Sequence, residues 1–192
     1  MAKKNPALFK FDNAVQAAVK VAQEQAAERV TEVNKTTMAA LRVLITEAIA
    51  DGKTPAQAAD EITSLVGLTS AQTRAVDNYR AKLEEAGLSP SKVRDKVEEY
   101  ADELLTERAD MIARTEIMES LNDGMQESWY AAQEEGYLSP NATKEFIVTP
   151  DDALCPQCEP YDGQQVPLGS EFPEGDPPLH PRCRCTLAIG TV

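Results

Sequence analysis

The chain has 192 residues, a net charge of −13, and hydrophobic and aromatic contents of 42% and 5%. A surface this acidic repels phosphate backbones, which disfavours direct DNA or RNA binding for the chain as a whole, although a local contact with DNA remains open. The most apolar stretch, Met38 to Ala50, is interrupted by Arg42 and Glu47, and no hydrophobic region follows the first residues. We therefore expect neither a membrane span nor a secretory signal, and we expect folding in a cytosol.

Apolar periodicity, capping boxes and glycine stops predict helices over most of residues 1–136. Four helices precede a longer one, at Phe11 to about Lys35, about Thr37 to Ala50, Thr54 to Gly67, and Thr69 to Gly87.

The longest periodic stretch runs from Ser89-Pro90 to about Glu135. A seam of residues at intervals of seven predicts a narrow apolar face: Val97, Leu104, Met111, Met118, Met125 and Ala132. A second row lies beside it: Ala101, Arg108, Thr115, Asn122 and Trp129. Its polar members either face water and pair within the helix, or are buried against partners elsewhere.

The pattern changes at Tyr137, where prolines, glycines and short β-type runs replace the helical periodicity. Glu145–Thr149 and Thr186–Ile189 read as strands. We predict a mainly α protein, helical over its N-terminal two-thirds, with a small Cys-rich β-containing module held together by zinc. The predicted divisions are an N-terminal helical segment at 1–53 for docking a partner, a helical domain at 54–136, and the module at 137–192.

All four cysteines and the only histidine lie in this last segment, as Cys155, Cys158, His180, Cys183 and Cys185. A CxxC pair facing an HxxCxC cluster presents ligands from two short, turn-rich segments, which is how zinc sites are commonly built. Four of these five residues would complete a tetrahedral structural site. Four thiolates with His180 beside them, or a set that includes His180, both fit the spacing.

Other interpretations remain open. The cysteines would form disulfides in an oxidising compartment, or stay free and buried. A zinc-dependent enzyme or a thiol-redox protein is the functional alternative. Redox catalysis is disfavoured because turn residues, Glu159-Pro160, follow Cys158 where a redox motif needs a helix. We expect Arg182 and Arg184 to pair with neighbouring acids.

Several of these residues also resemble those of one family. The segment from Arg108 to Glu116 is similar to the helical "RA..IARTE" signature of phage head-morphogenesis or minor head proteins, grouped around the F protein of phage Mu. The segments Asp151 to Cys158, Asp162-Gly163 and Pro178 to Cys185 resemble that family's C-terminal cysteine motif. The resemblance spans roughly Leu65 to Ile189.

The resemblance implies a structural, non-enzymatic minor capsid protein of a tailed phage. It would be made in the bacterial host cytoplasm and reside in the virion, in the head interior or at the portal vertex. Portal protein, major capsid protein or both would be its partners, with roles in assembly, DNA packaging or ejection and no small-molecule substrate. The resemblance also implies a structural role for the motif residues Arg108, Arg114, Thr115 and Glu116. Of these, Arg108, Arg114 and Glu116 would hold the module against the long helix or contact another virion protein. Asp151, Asp152, Asp162 and Gly163 would shape the loops near the site.

Overall fold

The computed structural model describes residues 11–28, 30–149 and 155–190. Within them five helices precede a small sheet: α1 Phe11–Gln25, α2 Lys35–Ala50, α3 Pro55–Thr63, α4 Ser70–Glu85, α5 Pro90–Glu134, β1 Thr143–Ile147, β2 Gln165–Pro167 and β3 Thr186–Ile189. The sheet is antiparallel in the order β2-β1-β3. The predicted fold class, mainly α with a small C-terminal Cys-rich β-containing module, is confirmed. The zinc in that module and the divisions at residues 53 and 136 stay predictions.

The 45-residue helix α5 is the spine of the molecule. Its N-terminal part packs against α4 through Val76, Val93 and Val97. Its middle packs against α1, α2 and α3 in the largest apolar cluster, to which α5 contributes Ala109, Ile112, Ala113 and Ile117. None of the helices described is both long and apolar enough to cross a bilayer.

Capping explains most of the helix starts. Thr54 and Thr69 each form a capping box, with Gln57 and Gln72 as the partners three positions later. Each box satisfies backbone N–H groups that the first helical turn leaves free.

Two predicted helix ends are wrong. The first helix ends at Gln25 instead of about Lys35, because Ala27 adopts a left-handed φ of 67° and its N–H binds the Glu116 carboxylate. The third helix ends at Thr63, four residues before Gly67. The backbone N–H groups of Ser64 and Leu65 bond three residues back instead of four, which tightens the chain out of the α-helix.

The heptad seam on α5 is also wrong in its middle. Met111 is exposed, whereas Ile112 and Ala113 beside it are buried. A strict seven-residue seam rotates about a straight helix by about 20° per heptad, so it leaves the core over several heptads. In the second row, Arg108 and Asn122 are buried with partners outside the helix.

Lys144 on β1 joins the sheet to α5. Its side chain is buried, and its Nζ atom donates to Gln126 Oε1 at 2.7 Å and pairs with Asp176. This satisfied buried charge fixes which face of the central strand meets the helix.

Candidate metal centre

The first half of the centre is a tight turn between Cys155 and Cys158. The N–H groups of Cys158 and Glu159 both bond to the carbonyl of Cys155, at 3.0 and 2.9 Å. The backbone N–H groups of Cys158 and Gln157 donate to the Cys155 sulfur and lower the pKa of its thiol. Donors aimed at one sulfur stabilise a thiolate, which is the form that binds metal.

Asp162 and Gly163 anchor this half to the sheet. Asp162 Oδ1 accepts a hydrogen bond from Val148 N–H at 3.0 Å, just beyond β1. Gln164 N–H bonds back to Tyr161 O at 2.9 Å, and Gly163 has a φ of 72°. A positive φ at the third position of a type II turn favours glycine, which explains the residue found there.

The second half is the turn His180-Pro181-Arg182-Cys183. Cys183 N–H bonds to His180 O at 3.1 Å, and Arg182 at the third position has a φ of 62°. Proline at the second position and a positive φ at the third are the features of a type II turn. His180 and Cys183 are the first and last residues of this turn, and Cys185 follows immediately before β3.

The structure brings all five predicted ligands together. Cys158 Sγ lies 3.2 Å from His180 Nε2 and 3.9 Å from Cys183 Sγ. A tetrahedral zinc with Zn–S bonds of about 2.3 Å separates two sulfurs by about 3.8 Å, whereas a disulfide would need about 2.05 Å. The four cysteines are free, and the donor set fits a metal.

The five donors form two overlapping groups. One contains Cys155, Cys158 and His180, the other Cys158, Cys183 and Cys185, and within each group the ligand atoms lie within 4.8 Å of one another. Among the described residues no four donors meet that limit together. Cys158 is common to both groups, and a fourth ligand for either group would come from the other by side-chain rotation.

The centre is enclosed by apolar side chains. Cys158, Cys183 and Cys185 are buried with Phe146, Phe172 and Leu187 in one cluster. Burial, followed by the neighbouring Cys185 and Cys183 thiols, raises the pKa of Cys158, and burial with Cys183 raises the pKa of Cys185 to about 11. A coordinated cation reverses this preference, because it deprotonates the thiol that binds it.

The four motif residues on α5 lie near one another but bind different segments. Arg108 donates to Gly67 O and Thr31 O at 2.6 and 2.7 Å, and Arg114 pairs with Asp110 one turn earlier. Glu116 accepts from Ala27 N–H at 2.6 Å.

Of these residues Thr115 touches the second half of the centre, since its Oγ1 accepts from Arg182 N–H at 3.1 Å. The expectation that Arg108 and Arg114 bond to the module is therefore wrong, because both guanidinium groups bind the helical part. Asp151 and Asp152 lie outside the described residues.

No role in positioning the candidate ligands was predicted for Asn122 or Arg182. Asn122 is fully buried and donates to Pro177 O and Cys185 O, while its Oδ1 accepts from Thr186. Arg182 donates to Glu107 O at 3.0 Å and pairs with Asp110 at 3.5 Å. The sequence feature that pointed to these contacts is the seven-residue spacing of Thr115 and Asn122, which puts both residues on one side of α5.

A family model for phage Mu protein F like proteins matches residues 39–188. The match extends from α2 to β3, covers more than half of the chain and includes all five candidate ligands. No curated protein and no solved structure matched the chain. The chain therefore belongs to the family of phage Mu protein F like proteins, as its motifs predicted.

Proposed function

We propose that this chain is a structural minor head protein of a tailed phage, bound at the portal or the inner capsid surface. Its membership of the phage Mu protein F like family supports a role in phage head morphogenesis and an interaction with other head components. The observation that carries the proposal is the family match itself, because it covers both the helical spine and the cysteine centre.

The second part of the proposal is a structural zinc ion. Cys158 and Cys183 would hold it, with two of Cys155, His180 and Cys185. The support is the 3.9 Å sulfur separation and a donor set of thiolates with one imidazole, which is the chemistry zinc prefers. Zinc would cross-link the two turns that carry the ligands and so stabilise the small sheet between them.

The non-enzymatic role is supported by the surroundings of the centre. A catalytic zinc keeps an open position for water and a nearby base, whereas the sulfurs of Cys158, Cys183 and Cys185 lie in an apolar cluster. A redox CxxC needs a helix at its C-terminal side to stabilise the thiolate, and here a single 3-10 turn, Glu159–Tyr161, follows Cys158.

Co-sedimentation tests the head role. A tagged chain expressed in the phage host should travel with assembled heads. Its loss from heads assembled without portal protein would place it at the portal, and its retention there would place it on the inner capsid surface. A chain absent from both kinds of particle contradicts the proposal. Turnover of a peptide, phosphoester or disulfide substrate by the purified chain contradicts its non-enzymatic part.

A further inference from the structure

The turn that carries His180 and Cys183 has an arginine where a glycine is favoured. Arg182 has a φ of 62°, and Gly163 has a φ of 72° at the same position of the turn in the other half. For a residue with a Cβ, the left-handed region is less stable than the right-handed one, and glycine avoids that cost.

The contacts of Arg182 with α5 offset this cost. Its backbone N–H donates to Thr115 Oγ1, and its guanidinium donates to the carbonyl of Glu107 and pairs with Asp110. Three anchors therefore hold one residue of the turn across two turns of the long helix.

The other end of the ligand segment is tied to the same helix. Asn122 binds the carbonyl of Cys185 and the hydroxyl of Thr186. The segment from Arg182 to Thr186, with two candidate ligands inside it, is thus bonded to α5 at both ends.

We propose that Arg182 is a positioning residue that couples metal binding at the cysteine centre to docking of the ligand turn on α5. This inference rests on the zinc site proposed above. Metal binding and docking of the turn on α5 both require the same turn conformation, so each process favours the other. Contacts with α5 therefore raise the affinity for metal, and bound metal stabilises the turn on α5. The coupling passes through Thr115, whose hydroxyl accepts a hydrogen bond from the backbone N–H of Arg182 rather than from a ligand side chain.

The decisive variant is Thr115→Val, which removes the hydroxyl with little change in shape. Thr73→Val is the matched control, since Thr73 on α4 also donates to the carbonyl four residues earlier, at 3.0 Å against 2.7 Å for Thr115. Zinc affinity is measured by competition with a chromophoric chelator, and circular dichroism checks the helical content. We expect Thr115→Val to weaken zinc binding about threefold to tenfold, as one lost hydrogen bond implies, and Thr73→Val to leave it unchanged.

A second pair of variants separates positioning from general stability. Arg182→Ala removes the guanidinium contacts but keeps the conformational cost of a positive φ. Arg182→Gly removes the guanidinium contacts and that conformational cost as well. The glycine variant should therefore bind zinc more tightly than the alanine variant, by about fivefold to tenfold. Thr115→Ser should restore binding because it retains the hydroxyl.

Three outcomes decide the matter. Zinc affinities of Thr115→Val and Arg182→Ala equal to that of the wild type overturn the coupling and leave the zinc site standing. Equal affinities of Arg182→Ala and Arg182→Gly also overturn it. A wild-type chain that binds no zinc overturns both the coupling and the proposed site.

Discussion

The Nη1 atom of Arg108 lies 2.6 Å from the carbonyl oxygen of Gly67, in the loop between α3 and α4. Its Nη2 atom binds Thr31 O, in the loop between α1 and α2, at 2.7 Å. One planar guanidinium thus joins two loops far apart in sequence to the middle of α5.

Arg108→Lys should destabilise the protein by about 1.5–3 kcal/mol, the range for hydrogen bonds to charged groups. A single ammonium cannot reproduce the two-pronged geometry, so one carbonyl loses its partner. Arg114→Lys, in the same motif, should change stability by less than about 0.5 kcal/mol, since it alters a half-exposed pair within one helix. Equal losses in urea unfolding of the two variants would contradict the assigned role of Arg108.

The sequence predicts those features of the structure whose determining residues lie close together along the chain. The capping boxes at Thr54 and Thr69 could be predicted from the sequence because each is complete within four residues. The end of α1 could not be predicted in this way, because it depends on the hydrogen bond from Ala27 N–H to Glu116, which lies 89 positions later in the chain.

The same distinction holds at the candidate centre. The candidate ligands can be chosen from the spacing of the cysteines, because that spacing is a local motif. The roles of Asn122 and Arg182 depend on how the segment after His180 lies across α5, and spacing along the chain does not encode that placement.

A close approach of α1 to α5 gives a second prediction. A Cβ atom on Gly124 of α5 would overlap the backbone nitrogen and Cα of Ala18 on α1. Gly124→Ala should therefore push α1 away and cost about 1–3 kcal/mol of unfolding free energy, despite the better helix propensity of alanine. Gly67→Ala is the control, because its Cβ would meet open space. A thermal midpoint for Gly124→Ala at or above that of the wild type would refute the tight packing of α1 on α5.

Glu32 gives a pH-dependent prediction. Its carboxylate accepts from the backbone N–H and the hydroxyl of Ser70, both at 2.7 Å, at the start of α4. The backbone bond, then the hydroxyl bond, lowers the pKa of Glu32. A lowered folded-state pKa means stabilisation that is present at neutral pH and is lost as pH falls through that pKa.

Glu32→Gln should therefore lower the thermal midpoint at pH 7, and the difference from the wild type should shrink as the solution is acidified towards pH 3. On a Ser70→Ala background the effect at pH 7 should be smaller, since one of the two bonds is already absent. A difference that stays constant with pH would show that the charge of Glu32 is not what stabilises this contact.

Metal removal tests the cysteine centre directly. If Cys158 and its neighbours bind zinc, the purified chain should contain about one zinc ion by elemental analysis, the number a single four-ligand site holds. Chelation should then increase hydrogen exchange after about Tyr137 and leave α1–α5 largely protected, because site formation and folding of this region share one free energy.

Cys158→Ser should reproduce the effect of chelation in full, since Cys158 belongs to both donor groups, whereas Cys155→Ser leaves the group of Cys158, Cys183 and Cys185 intact. His180→Ala should be milder if the four thiolates are the ligands. Mass spectrometry that finds a protected metal-free module, or two native disulfides, would show that packing or covalent bonds hold the two halves together instead.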